Sequence, residues 1–232
     1  MASRLNSLSI FFPVFNESAN LGELIPAAIR IGKACAREFE IIIVNDGSTD
    51  ETVSIVKNFQ GIYPELKLVE HAENLGYGQA LRSGIVAATK EWVFWSDADL
   101  QFDLESLIDF IPYTNSYDVI IGYRKHRADS FIRRVNGELY TQLIRFLFHI
   151  NIRDVDCAFK LIRRKQLEFK LTSSGAFTSA EILINLHRNK VKIRQLPVKH
   201  FPRRAGRPTG GSVKVIFKGL RDTFSYFLSS NT

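Results

Sequence analysis

Short apolar runs alternate with stretches of helical spacing along the first half of the chain, the pattern of βαβ units around a mainly parallel sheet. Residues 8–13 read as a first strand and residues 20–36 as a helix with an irregularity at Pro26. Residues 39–45, "FEIIIVN", form a β-branched run of the kind found in a central strand buried on both faces. After "DGSTDE", a helix capped by Ser48 or Asp50 extends to about Gln60, followed by a strand over 66–70 and the Gly-containing turn "NLGYG". A helix over 79–88 leads into the strand 92–95, and Asp103 caps a helix over 104–111 that should stop before Pro112. The second half predicts a strand at 118–122, a helix at 131–149, a strand in "DCAFKLIRR", a helix at 178–189 and a strand at 190–197. The stretch "PRRAGRPTGGS" reads as a Gly/Pro/basic loop without a core-forming residue. No internal repeat, low-complexity tract or linker interrupts the chain, which predicts one α/β domain over residues 1–212 and a C-terminal amphipathic helix over 213–232.

Polar clusters fall where these strands end. They are "PVFNE" after the first, "NDGS" after the second and "DAD" after the fourth, and open parallel sheets bind ligands beyond the carboxyl ends of their strands. The sharpest is "WSDADLQFD". If the strand continued extended, Asp97, Asp99 and Gln101 would point the same way. Two carboxylates so close repel unless a cation or hydrogen-bond donors offset them, and a divalent metal held by Asp97, Asp99 and Gln101 resolves the conflict. Taken singly, an acidic residue at a strand end is more often a helix cap than a ligand; recurrence on one edge favours a site.

Charge sharpens the picture. The chain carries a formal +7, yet residues 1–100 are net acidic and all of the excess lies in the second half, with no acidic residue between Lys190 and Arg221. Such a density suits phosphates, an anionic membrane or nucleic acid. No apolar stretch reaches the length of a membrane-spanning helix, and "MASRLNSLSIFFP" lacks a signal-peptide pattern, so the expectation is a cytoplasmic protein. Cys35 and Cys157 have neither metal-ligand spacing nor the number for a disulfide framework, and the five histidines show no ligand spacing.

In order, "PVFNES", "IVNDGSTDET", "NLGYGQALRSG" and "SDADLQ" resemble the motifs of family 2 glycosyltransferases with the GT-A fold, a Rossmann-like nucleotide-sugar-binding sheet flanked by helices. "GYR" at 122–124, Arg133-Arg134, "DCAFK" and the basic loop are similar to the dolichol-phosphate mannosyltransferase-like branch, which moves a sugar from a nucleotide diphosphate onto a polyprenyl phosphate. The resemblance spans about residues 8–220. It implies a nucleoside pocket lined by Pro13, Phe15, Glu17 and Asp46, with Asp97 and Ala98 also on the nucleotide sugar and Asp99 on Mg²⁺ or Mn²⁺. It implies a donor of the GDP-mannose or UDP-glucose type and inversion at the sugar. The chain departs from the branch after the acidic motif, where "QFDLES" replaces the usual "QHPP", which loosens any inference about the sugar.

A phosphate monoester is largely dianionic at neutral pH, so such an acceptor needs cations more than a base. Arg124, Arg133, Arg134, Arg204 and Arg207 are the candidates for the acceptor phosphate. Asp99, Arg124, Arg134 and Asp156 are the candidate catalytic set, with Asp156 either orienting the acceptor or pairing an arginine structurally. Two rivals remain open: a transferase to a hydroxyl of a glycan, which would need a general base, and a non-enzymatic basic module for anionic lipid or nucleic acid. The second leaves "DADLQ" without a purpose, so nucleic acid is not expected as a partner. Finally, Val213, Ile216, Phe217, Leu220, Phe224, Phe227 and Leu228 fall on one helical face beside Lys214, Lys218 and Arg221. That pattern fits a helix docked on the core or one lying in the interface of an anionic membrane, which would place the protein peripherally on the inner face of the cell membrane.

Overall fold

The computed structural model describes residues 4–125, 128, 131–204 and 213–230, with the side chains of 213–215 and 230 outside the description. Seven strands form one mixed sheet: β1 (Leu5–Val14), β2 (Ala36–Asp46), β3 (Leu66–His71), β4 (Trp92–Trp95), β5 (Val119–Arg124), β6 (Lys160–Arg163) and β7 (Ile193–Val198). Their order is β3-β2-β1-β4-β6-β5-β7. β1, β2, β3 and β4 run parallel, β6 runs antiparallel between β4 and β5, and β7 closes the far edge parallel to β5. The helices are α1 (Ser18–Cys35), α2 (Thr52–Gln60), α3 (Tyr77–Ala87), α4 (Phe131–Phe148), α5 (Thr178–Arg188) and α6 (Val213–Ser230), with 3-10 helices at Leu104–Asn115 and Arg164–Leu167.

Both faces of the sheet are covered, which is why its central strands read as unbroken apolar runs rather than alternating ones. Leu8, Ile10 and Phe12 of β1 and Ile41 and Ile43 of β2 pack with α1 and the first 3-10 helix in one layer. Phe11, Ile42, Val44, Val93 and Trp95 pack with α3 and α5 in the other.

Several predicted boundaries shift for physical reasons. α1 runs into β2 without a loop, so β2 starts at Ala36 rather than 39. The helix expected to stop before Pro112 continues as a 3-10 helix to Asn115, with Thr114 Oγ1 donating back to the Ile111 carbonyl at 2.7 Å. Asp103 caps it as expected, accepting from Glu105 N at 3.1 Å. "DCAFKLIRR" supplies only the four-residue β6, its first four residues forming the loop that approaches the sheet. The last strand begins at Ile193 and carries Pro197 on the sheet edge, where the missing N–H is tolerated. Asp50, not Ser48, serves the start of α2, accepting from Thr52 N at 3.0 Å, while Ser48 Oγ accepts from Asn16 N at 2.9 Å.

α6 divides its apolar residues between two environments. Thr223 is fully buried, and Tyr226 and Phe227 pack against Phe148 and Phe177, so one side is docked on α4 and α5. Phe217, Phe224 and Leu228 face solvent. Of the single apolar face expected from spacing, Ile216, Phe217, Phe224 and Leu228 are exposed and Leu220 and Phe227 are half-buried, while the side chain of Val213 lies outside the described residues.

Candidate functional site

From β1 the chain proceeds to β2 and β3 on one side, while β4 lies on the other. The strand order therefore reverses at the β1/β4 boundary, and a crevice opens there at the carboxyl ends. The loops bordering it are laced together. Asn16 takes a left-handed φ of 55° that lets its side-chain oxygen accept from Thr49 N at 2.8 Å, while Ser18 N donates to Asp50 Oδ2 at 3.1 Å. Gly47 has φ 69°, and a Cβ there would stand 2.3 Å from the Glu73 backbone, so glycine is required for the two turns to meet.

Asp46, at the end of β2, is buried. It accepts from Leu75 N and Gly76 N at 2.9 Å each and from His71 Nδ1 at 2.7 Å, and His71 Nε2 lies 2.8 Å from Ser83 Oγ. Asp46 thus fastens the loop that starts α3. Pro13 and Phe15 stand half-buried at the end of β1, and Glu17 follows them at the head of α1.

The acidic motif is not a continued strand. β4 ends at Trp95, residues 98–100 bend, and Leu100 sits at φ 57°, a conformation that costs a branched side chain on the order of 1 kcal/mol. The strand alternation expected for Asp97, Asp99 and Gln101 is broken by this bend, and the Gln101 side-chain amide donates to the Phe201 carbonyl. Asp97 and Asp99 still act on each other electrostatically. Burial and the Asp99 charge push Asp97 above the ordinary carboxylate range, against the pull of the Tyr77 hydroxyl, Arg124 and Lys160. Burial also raises Asp99, opposed by the Gln101 N–H, Arg203 and Arg133. Ala98 between them is buried.

Register explains the cations beneath Asp97. Lys160 pairs with Trp95 on one side and Ile121 on the other, so the antiparallel insertion of β6 delivers a fully buried ammonium to the end of β4. It donates to the Val155 and Cys157 carbonyls and to Ser179 Oγ at 3.0 Å, and burial holds it below the ordinary lysine range. Arg124 forms a two-pronged pair with Asp154 at 2.7 and 2.8 Å, and only 9% of either side chain is exposed. Asp154 is thus the partner of Arg124, and Arg124 is a buried anchor rather than a cation presented at the surface. Asp156 is exposed, and its charge is felt by Tyr77, Arg124 and Lys160, which places it at the crevice rim.

The remaining basic candidates separate. Arg133 in the first turn of α4 is half-buried and its charge reaches Asp99, whereas Arg134 is exposed. Arg204 pairs with Glu23 of α1 at 2.9 Å, and Arg207 lies outside the described residues. Gln101 donates its side-chain amide to the Phe201 carbonyl at 3.0 Å and its backbone N–H to Asp99 at 3.1 Å. Arg203, the first arginine of the "PRRAGRPTGGS" stretch, bridges Glu17 and Asp99. Sequence reasoning did not single out Tyr77, His71, Asp154 or Lys160 for the site. The "GYG" and "FK" elements of the motifs already noted were the only signals for two of them.

This geometry can be set against known proteins. The description Glycosyl transferase family 2 matches residues 9–169. The chain belongs to that family. Among curated members, the undecaprenyl-phosphate 4-deoxy-4-formamido-L-arabinose transferase of Edwardsiella ictaluri is 29% identical over 212 residues, covering 90% of this chain and 64% of that protein. The dolichyl-phosphate beta-glucosyltransferase ALG5A of Trichomonas vaginalis is 29% identical over 210 residues, covering 83% and 65%. This chain spans about half to two thirds of the length of the curated relatives it matches. Glucosyl-3-phosphoglycerate synthase from Mycobacterium tuberculosis, solved with Mn²⁺, UDP and glucosyl-3-phosphoglycerate, superposes with a TM-score of 0.75 at 16% identity, over 95% of this chain and 79% of that one. The fold of this family 2 member is therefore GT-A.

A divalent cation fits the residues present. Two carboxylates repel in a buried bend, and the protein already draws a guanidinium onto one of them. Among the described residues no cluster of three or more His, Cys, Asp or Glu side chains forms a metal cage, and Glu17 meets Asp99 only across the Arg203 guanidinium.

Proposed function

We propose that this family 2 protein transfers a sugar from a nucleotide-diphosphate sugar to a polyprenyl phosphate, with inversion, at the cytoplasmic face of a membrane. The carrying observation is the pairing of Asp97 and Asp99 at the β1/β4 switch point, bordered by Glu17 and Asp46 on one side and by cationic segments on the other. Relatives named for undecaprenyl and dolichyl phosphate support the acceptor class.

Pro13, Phe15 and Glu17 would receive the nucleoside, with Asp97 toward the ribose. Asp97 and Asp99 would hold Mg²⁺ or Mn²⁺, which supplies neutralisation of the leaving diphosphate. An acceptor phosphate, with its second pKa near about 6, is already nucleophilic at neutral pH. Arg133 and Arg134 at the head of α4 would position it, and arginine does so in bidentate form. Asp156, exposed at the rim, would orient the acceptor.

Membrane contact is supported by exposed apolar side chains on two helices packed on each other. α4 presents Phe131, Ile132, Leu139 and Phe146, and α6 presents Phe217, Phe224 and Leu228. Lys218, Arg221 and Arg134 accompany them, and each cation near an anionic leaflet adds on the order of 1 kcal/mol. Among the described residues no helix is long and apolar enough to cross a membrane.

The exposed Asp156 also favours a second reading, since it gives a hydroxyl acceptor a possible base. One assay decides. The protein is incubated with GDP-mannose or UDP-glucose and Mn²⁺, with either polyprenyl phosphate or hydroxyl sugars, and products are separated by mass spectrometry. Sugar on the lipid phosphate is expected, and sugar only on hydroxyl acceptors would overturn the lipid reading.

A further inference from the structure

Residues 199–204 run as a strap beside the acidic bend and end over the crevice. Lys199 pairs with Asp103 at 3.3 Å, His200 forms a bridge with Phe102, and Phe201 exchanges bonds with Gln101, donating its N–H at 2.7 Å and accepting from the side-chain amide at 3.0 Å. This ladder carries Arg203 across the gap between β1 and β4. One terminal nitrogen donates to Asp99 at 3.3 Å and the other to Glu17. Arg204 fastens the end of the strap to Glu23. Glu17 and Asp99 come from opposite sides of the switch point, and burial penalises the charge of both. The guanidinium offsets that penalty.

We propose that Arg203 is an internal counter-cation that competes with the divalent ion for Asp99, and that the diphosphate of an arriving nucleotide draws Arg203 onto itself and so frees Asp99 for the metal. This rests on the nucleotide-sugar reading above. A guanidinium and a divalent ion repel and cannot both occupy one carboxylate at full strength, whereas a diphosphate offers the guanidinium a stronger, bidentate partner. Metal and nucleotide then bind cooperatively although neither is pre-attached to the other's ligands, and the coupling is reciprocal. The donor would enter as a metal-nucleotide pair, and metal alone would be held weakly.

The test measures free Mn²⁺ by electron paramagnetic resonance during titration of the full chain, alone and with UDP or GDP. In the wild type, nucleotide is expected to tighten Mn²⁺ on the order of tenfold or more. Arg203→Gln should bind Mn²⁺ alone about tenfold tighter than the wild type and lose most of the nucleotide-induced gain. Arg30→Gln removes the same charge from the exposed side of α1, where Arg30 pairs with Glu105, without touching the strap or Asp99, and should behave as the wild type. Unchanged or weaker Mn²⁺ binding in Arg203→Gln overturns the proposal, and so does an equal tightening in Arg30→Gln, which would mark a bulk-charge effect. Melting curves establish folding. If Arg203→Gln does not fold, Arg203→Lys decides, because a lone ammonium cannot span Glu17 and Asp99: tighter Mn²⁺ binding supports the proposal and unchanged binding overturns it. A wild type that binds Mn²⁺ under neither condition sinks the nucleotide-sugar reading together with the inference. Cooperative binding in the wild type with no change in the Arg203 variants sinks the inference alone.

Discussion

The two sides of the crevice are built differently. The side formed by β1, β2 and β4 is over-determined: Asp46 accepts three hydrogen bonds, Asn16 and Leu100 are held at positive φ, and the loops interlock through Ser48, Thr49 and Asp50. The side formed by α4, α6 and the strap is joined by aromatic packing along part of α6, the Phe201–Gln101 bonds and the Arg203 bridge, and it leaves large apolar side chains in solvent. A side of interlocked polar turns suits a small polar ligand recognised by position. A side with apolar and basic groups in solvent suits a ligand that arrives with a surface attached. "Basic residue near the site" is not one category here, because Arg124 at the end of β5 is locked onto the buried Asp154 while Arg134 is exposed on α4.

The largest expected effect tests that division. Arg124→Ala removes both guanidinium bonds from the buried Asp154 carboxylate and should lower unfolding free energy by about 3–5 kcal/mol, measured by urea denaturation. Arg134→Ala should leave stability within about 0.5 kcal/mol and raise the acceptor KM instead. Similar stability losses in both would erase the distinction. Next, Asp99→Asn should reduce turnover on the order of 100-fold or more with the fold intact, as steady-state assays at limiting Mn²⁺ would show. Unchanged turnover there would remove the metal from Asp99. On the open side, replacing Phe217, Phe224 and Leu228 with serine should abolish co-sedimentation with anionic liposomes while sparing nucleotide binding, since those side chains contribute little to the core.

The smallest effect concerns pH. Asp97 has a folded pKa raised above its unfolded value, so the folded state binds the extra proton between the two. In metal-free protein its contribution therefore favours folding at acid pH and fades as pH rises from about 4 through the raised value. Asp97→Asn should flatten that part of the melting-temperature profile, and Mn²⁺ with nucleotide should do the same. A wild-type profile that rises throughout this window would contradict the assignment.

Much of this was visible in the chain because it is local. The "DAD" cluster, the β-branched runs and the Asp103 cap all declare themselves within a few residues. What was hidden depends on strand order. Nothing in the periodicity of "FKLIRR" says that β6 inserts antiparallel between β4 and β5, and only that insertion puts Lys160 under Asp97 and Asp154 onto Arg124. Asp154 and Asp156 are equivalent by residue type and separated by fold. The bend at Leu100 was likewise hidden, because leucine carries no sequence signal for a left-handed backbone.

The exposed apolar side chains of α4 and α6 bear on how the protein would find its substrate. A molecule resting on a bilayer through those helices shares a plane with any lipid-linked acceptor, and its search becomes lateral diffusion within a sheet rather than a walk through bulk water. Turnover would then track the surface density of acceptor per area of membrane. Diluting the whole suspension would leave the rate per liposome nearly constant, whereas diluting the acceptor lipid within the bilayer would not.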